Sequence, residues 1–211
     1  CSHDDDGTLR NVLRPTKDAC DAPVTANEIA TVMNELPTGK SPGPDRLPNK
    51  FYKTYSELLS QILEYVFTES VENGALPGSC LEGLISVLYK KNDREDTRNY
   101  RPISLLNNDY KILTRLLTKR MNAAVLQFVS PQQTGFVPNA FIAENIMLLK
   151  LIQAHVEDQD GEALFLFLDM EKAFDKCSWE YLKKSLSRLG FGQKFIDYVS
   201  LFYNDANPPS V

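Results

Sequence analysis

A helix-rich α/β chain is what this sequence predicts, on three observations. Several stretches carry apolar residues at helical spacing behind recognisable caps. Two short runs suit a strand pair around a polar, charged turn. An uninterrupted apolar run, residues 163–168, has the length and lack of helical periodicity of a strand buried on both faces, and it ends on Asp169.

Residues 1–24 hold Asp4-Asp5-Asp6, Gly7 and two prolines without periodicity, and read as a poorly ordered lead-in. Thr25-Ala26-Asn27-Glu28 is a capping box, followed by Ile29, Val32, Met33 and Leu36 on one helical face. Pro37, Gly39, Pro42, Gly43, Pro44 and Pro48 then forbid regular structure. A longer helix is expected over residues 49–73, burying Tyr52, Tyr55, Leu59, Ile62 and Val66 and stopping at Gly74. Residues 84–89 and 101–105 are the strand pair. Over residues 108–129, Ile112, Leu113, Leu116, Leu117 and Met121 form an apolar stripe, while Lys111, Arg115 and Lys119 recur on another face. That basic face reads either as a solvated helix surface or as a track for a phosphate backbone. Further helices are expected over residues 140–157, from the Ser178 cap to Gly190, and over residues 193–203.

The chain has 211 residues, 43% of them hydrophobic and 24% charged, which is ordinary for a globular protein with a real core. Nothing approaches the roughly 20 consecutive apolar residues of a membrane span, and no charged-then-apolar leader opens the sequence. Because it begins at Cys1, it is expected to be a piece of something longer. Cys1, Cys20, Cys80 and Cys177, with His3 and His155, show no zinc-ligand spacing, so reduced thiols are expected. The formal charge of −5 argues against a nucleic-acid partner, but its distribution argues for one. Residues 90–120 hold nine basic side chains (Lys90, Lys91, Arg94, Arg98, Arg101, Lys111, Arg115, Lys119, Arg120) against Asp93, Glu95, Asp96 and Asp109. Local charge within a Debye length of about 8 Å is what a phosphate backbone feels.

An unpaired carboxylate is costly to bury, so Asp169 must emerge at the end of its run, take a cation or accept several hydrogen bonds. By itself this pattern also suits a simple cap or a hydrolase nucleophile. A phosphatase would want a second aspartate two residues on, where Glu171 stands. A P-loop around Gly39-Lys40-Ser41 fails because Asn34 occupies the place of its first glycine and Pro42 sits where its helix should begin.

Four segments occur in order: Gly39-Lys40-Ser41-Pro42-Gly43-Pro44-Asp45, Asn99-Tyr100-Arg101-Pro102-Ile103-Ser104-Leu105-Leu106-Asn107, Gln133-Thr134-Gly135-Phe136, and Phe167-Leu168-Asp169-Met170-Glu171-Lys172-Ala173-Phe174-Asp175. Together they make residues 25–211 resemble the reverse transcriptase domain of a LINE-type, non-LTR retrotransposon. The resemblance implies the fingers of a right-hand polymerase over residues 25–162 and the start of a palm over 163–211. It implies two-metal nucleotidyl transfer in the intact protein, with Asp169 and the Met170 carbonyl as ligands to Mg2+ or Mn2+. Lys90 or Lys91, Arg101, the main chain around Lys172 and Ala173, and Phe174 would meet the incoming nucleotide, Phe174 as the steric gate against a ribose 2′-hydroxyl. Gln133, Gly135 and Phe136 would line the template path, and Lys111, Arg115 and Lys119 could track the template backbone. RNA template, DNA primer and dNTPs are the implied partners, with no membrane, in nucleus or cytoplasm.

Departures from the family pattern stand at Arg46 and Asn92, where glycine is usual and a turn is at risk of strain. The chain is also expected to stop before the second catalytic strand; Tyr203-Asn204-Asp205-Ala206 has one aspartate and follows Asp169 too soon to replace it. Alone, the chain is then expected to bind nucleic acid weakly and catalyse nothing. The rival expectation is a decayed or host-adopted remnant that binds RNA or another protein without polymerising.

Overall fold

The computed structural model describes residues 12–170, 173–174 and 176–203. Their helices and strands, in order, are α1 (Arg14–Asp21), α2 (Ala26–Asn34), α3 (Asn49–Thr54), α4 (Ser56–Asn73), α5 (Gly78–Leu81), β1 (Gly83–Tyr89), β2 (Tyr100–Leu106), α6 (Asn108–Phe128), α7 (Ile142–Asp158), α8 (Trp179–Arg188) and α9 (Gln193–Ser200). The chain divides into two compact units, Asp21–Arg120 with Gln193–Val211, and Cys1–Cys20 with Met121–Gly192.

In the first of these units the capping box forms as expected. Thr25 Oγ1 accepts from the Glu28 amide, and the Glu28 carboxylate accepts from the Thr25 amide. The helix it starts buries Ile29, Val32 and Met33 and packs on α3 and α4. The single helix expected over residues 49–73 is two helices, parted at Tyr55 (φ −110°, ψ 27°). This break re-phases the second piece. Its buried face is Ser60, Leu63, Phe67 and Ser70, while Tyr55 and Ile62 are exposed and Leu59 and Val66 only half-buried. Tyr52 is buried as expected, and α4 ends at Gly74 in the left-handed conformation (φ 69°) that glycine adopts without strain.

The strands β1 and β2 pair antiparallel with Leu88 opposite Arg101 and Tyr89 opposite Tyr100. Directly opposed residues share a face, so Arg101, Ile103 and Leu105 lie on one side with Leu88, Ser86 and Leu84. The Tyr89 and Tyr100 rings meet on the other side, centroids 5.6 Å apart. The apolar stripe of α6 is buried at Ile112, Leu113, Leu116 and Leu117 and half-buried at Met121. Phe67 and Phe195, both fully buried, each contribute about 1.5–3 kcal/mol of apolar burial.

In the second unit a helix, α1, occupies part of the stretch read as a loose lead-in, with Pro15 in its first turn where no helical amide is required of it. The Leu13 amide donates to Gln127 Oε1 (2.8 Å), and Gln127 Nε2 donates to Thr16 Oγ1 (2.8 Å), fastening this segment to the end of α6. Ser178 caps α8, its hydroxyl accepting from the Tyr181 amide. The strand expected over residues 163–168 is not formed. Leu164, Leu166, Phe167 and Leu168 are exposed and lie outside any helix or strand. A strand buried on both faces needs neighbours to complete its ladder and layers to cover it, and among the described residues none pairs with this run. Likewise α7 forms where expected, yet no described residue of it is buried.

Candidate functional site

The Pro-Gly-rich loop and the Asn99–Asn107 segment, far apart in sequence, are stitched together in the Asp21–Arg120 unit. Asn107 Oδ1 accepts from the Asp45 amide (3.1 Å), and Asn107 Nδ2 donates to the Ser79 carbonyl (2.8 Å). Asn108 Nδ2 donates to the Leu47 carbonyl (2.7 Å), and both asparagines are buried. Sequence reasoning saw the motif but not this role; the adjacent asparagines ending an apolar strand were its one signal. Arg46 (φ 59°) and Asn92 (φ 69°) both sit in the left-handed region, so both departures from glycine fall where glycine's freedom is needed.

The basic stretch of residues 90–120 sorts into tied and untied charges. Arg98 is bound to Asp96 (2.8 Å), and the Arg94 guanidinium lies 5.0 Å from the centre of the Tyr89 ring. Lys119 Nζ is 2.6 Å from the Glu35 carboxylate, an exposed pair. Arg120, almost wholly buried, donates to Glu28 through Nε (3.0 Å) and a terminal nitrogen (2.7 Å), and also to the Ala22 and Pro23 carbonyls. Burial by itself would raise the Glu28 carboxyl, but the Arg120 hydrogen bond and charge, with Thr25, outweigh it and hold the group below its ordinary range. Arg115 lies close enough to the Glu35 carboxylate to help lower its pKa, while Lys90, Lys91, Arg101 and Lys111 form no ion pair among the described residues, the first three of them exposed. Those cations are available to an anion.

In the other unit the Asp169 carboxylate is exposed, with no hydrogen bond or ion pair among the described residues, and Met170 beside it is 75% exposed. Lys172 lies outside the described residues, as do Glu171, Asp175, Asn204 and Asp205. Ala173 and Phe174 are exposed. The Phe174 ring meets that of Phe136 edge to face, centroids 6.1 Å apart at 86°. Gln133 Nε2 donates to the Gly135 carbonyl (3.0 Å). Asn145 Nδ2, on α7, donates to Thr134 Oγ1 (2.9 Å) and the Gln132 carbonyl (3.2 Å), a brace that sequence reasoning missed.

A hard divalent cation takes oxygen ligands, commonly one or two carboxylates completed by substrate phosphate and water. Asp169, with the Met170 carbonyl next to it, fits that chemistry, because no described cation competes for the carboxylate. Among the described residues no group of three His, Cys, Asp or Glu side chains is poised around a common point. Nor is any described helix long and apolar enough to cross a membrane.

The sequence pattern of the reverse transcriptase (RNA-dependent DNA polymerase) family matches residues 89–209. A 149 kDa protein of transposon TX1 from Xenopus laevis is 34% identical over 191 residues, covering 90% of this chain and 14% of that protein. The retrovirus-related Pol polyprotein of the type-2 retrotransposable element R2DM of Drosophila melanogaster is 28% identical over 163 residues, 77% of this chain and 15% of its own length. The RNA-directed DNA polymerase from the mobile element jockey of the same fly is 27% identical over 156 residues, 72% of this chain and 17% of its own length. The chain thus spans less than a fifth of the length of these relatives. The reverse transcriptase family uses divalent metal generally. The chain belongs to the reverse transcriptase family, on the branch carried by non-LTR retrotransposons.

Proposed function

We propose that this chain contributes the nucleotide-binding and first metal-binding elements of an RNA-directed DNA polymerase, with residues 25–162 as fingers and 163–211 as the start of the palm. The observation that carries the reading is the exposed Asp169 carboxylate at the end of its apolar run, unpaired among the described residues, with the exposed Phe174 ring five residues on. Asp169 and the Met170 carbonyl would hold Mg2+ or Mn2+. When bound, such a cation stabilises charge on the attacking 3′-hydroxyl oxygen and on the triphosphate. Arg101, which cannot deprotonate and can grip phosphate oxygens bidentately, binds the triphosphate with Lys90 or Lys91. By the family resemblance, main-chain amides around Lys172 and Ala173 would meet the incoming nucleotide. Phe174 excludes a ribose 2′-hydroxyl. Gln133, Gly135 and Phe136 line the template path, with Lys111, Arg115 and Lys119 along its backbone; Lys119 must share its charge with Glu35. RNA template, DNA primer and dNTPs are the partners.

The test is primer extension on an RNA template by the complete open reading frame that encodes this chain, beside its Asp169→Ala form. Magnesium-dependent synthesis lost in the variant supports the reading, and equal synthesis by both sinks the metal assignment. A second reading, a remnant that binds RNA or protein without polymerising, draws on the left-handed Arg46 and Asn92. It is favoured by RNA retention with no synthesis by either form.

A further inference from the structure

The segment Gln133-Thr134-Gly135-Phe136 holds its last residue in an unfavourable way. Phe136 has φ 61° in the left-handed region, which bulky residues rarely enter. The residue is 96% exposed, so no core burial offsets that cost. The turn behind it is nevertheless braced, by the bond from Gln133 Nε2 to the Gly135 carbonyl (3.0 Å) and by Asn145 Nδ2 on the buried Thr134 (2.9 Å). What the strained, braced residue meets is the Phe174 ring, itself 82% exposed, edge to face at 6.1 Å and 86°. A solvent-exposed ring with a free χ1 explores several rotamers, and an edge-to-face partner carried on a braced turn favours one of them.

We propose that Phe136 is a positioning residue for sugar discrimination, holding the Phe174 ring in the orientation that excludes a 2′-hydroxyl. This goes beyond a place on the template path, and it rests on the reading of Phe174 as the steric gate. In sugar discrimination Phe136 acts only through Phe174, which separates this role from a template contact. A template contact would weaken dNTP and rNTP insertion alike. A positioning contact changes their ratio.

The experiment is single-nucleotide insertion on an RNA template by the complete open reading frame, comparing dNTP with the matching rNTP. Phe136→Ala is expected to lower the dNTP preference about two- to tenfold, the range an aromatic pair supports. Phe174→Ala lowers it further, the double variant equals Phe174→Ala alone, and Phe136→Tyr retains the preference. If Phe174→Ala leaves the ratio unchanged, the gate reading falls and takes the inference with it. If Phe174→Ala changes the ratio while Phe136→Ala does not, or if the double variant is additive, the inference alone is overturned. The contact is also read without activity. In the 211-residue chain carrying 4-fluorophenylalanine at position 174, Phe136→Ala shifts the fluorine resonance, and an unmoved resonance overturns the inference.

Discussion

Gly43 lies so close to Asn107 that a Cβ added to the glycine would sit 2.3 Å from Asn107 Oδ1 and 2.5 Å from the Asn107 backbone nitrogen. The same Oδ1 accepts the Asp45 amide. The loop and the end of β2 therefore touch backbone to backbone, and a side chain at position 43 would prise them apart. Gly43→Ala is expected to destabilise by roughly 1–3 kcal/mol, the usual cost of overpacking a close contact. Asn107→Ala, which leaves the Asp45 amide and the Ser79 carbonyl without this partner, is expected to cost a similar amount, about 1–3 kcal/mol. Urea unfolding midpoints check both, and a wild-type midpoint for Gly43→Ala would contradict the packing.

Arg46 and Asn92 occupy left-handed backbone, at φ 59° and 69°. Replacing Arg46 with glycine should stabilise the chain, because the steric penalty of about 1–2 kcal/mol for a side chain there exceeds glycine's entropic cost of about 0.5–1 kcal/mol. Asn92→Gly should gain less, since asparagine tolerates this region better than most residues. Ordered thermal midpoints, Arg46→Gly above Asn92→Gly above wild type, are the expected result.

The bidentate pair of Arg120 and Glu28 links α6 to α2. Arg120→Ala also strips donors from the Ala22 and Pro23 carbonyls, and should cost about 2 kcal/mol, a charge-assisted bond's typical contribution. Glu28 has a lowered carboxyl pKa in the folded chain, so its contribution is fully present above the unfolded value of about 4.3 and is lost as pH falls through the folded value. Stability measured between neutral and acid pH should therefore fall more shallowly for Glu28→Gln than for wild type.

Cys80 is buried, and its thiol donates to Asp109 Oδ2 at 3.2 Å. Burial, then the nearby Asp109 charge and that hydrogen bond, push its pKa up to about 12. The thiolate is the nucleophile, so Cys80 should resist iodoacetamide at mildly alkaline pH until the chain unfolds, while the exposed Cys177 reacts readily. Peptide mapping after timed alkylation tests this. Because the folded value is raised, Cys80 contributes stability that is present below the unfolded value of about 8.5 and is lost as pH rises from there toward the folded value.

Local chemistry was legible. The Thr25 and Glu28 capping box, the Gly74 stop, the Ser178 cap and the strand pair facing each other across residues 90–99 depend on neighbours within a few positions, and sequence displays those directly. The break at Tyr55 was not, because neither proline nor glycine marks it. Its consequence, the shift of the α4 core face to Leu63 and Phe67, was therefore hidden too. The apolar run before Asp169 suits a buried strand by its hydrophobicity, which reports what a segment can bury, not whether a partner strand stands beside it.

For the candidate site, the sequence by itself determined which side chains are the candidates for chemistry: the Asp169 carboxylate, the Phe174 ring, and a basic excess over residues 90–120. It also located the two turns that ask for glycine and lack it. Only the tertiary structure decided which positive charges are spent. Lys119 and Arg120 are held by Glu35 and Glu28, 84 and 92 positions away, while Lys90, Lys91 and Arg101 are not paired among the described residues. Charge type is written in the side chain, but whether a charge is neutralised depends on distance through space, which the fold alone establishes.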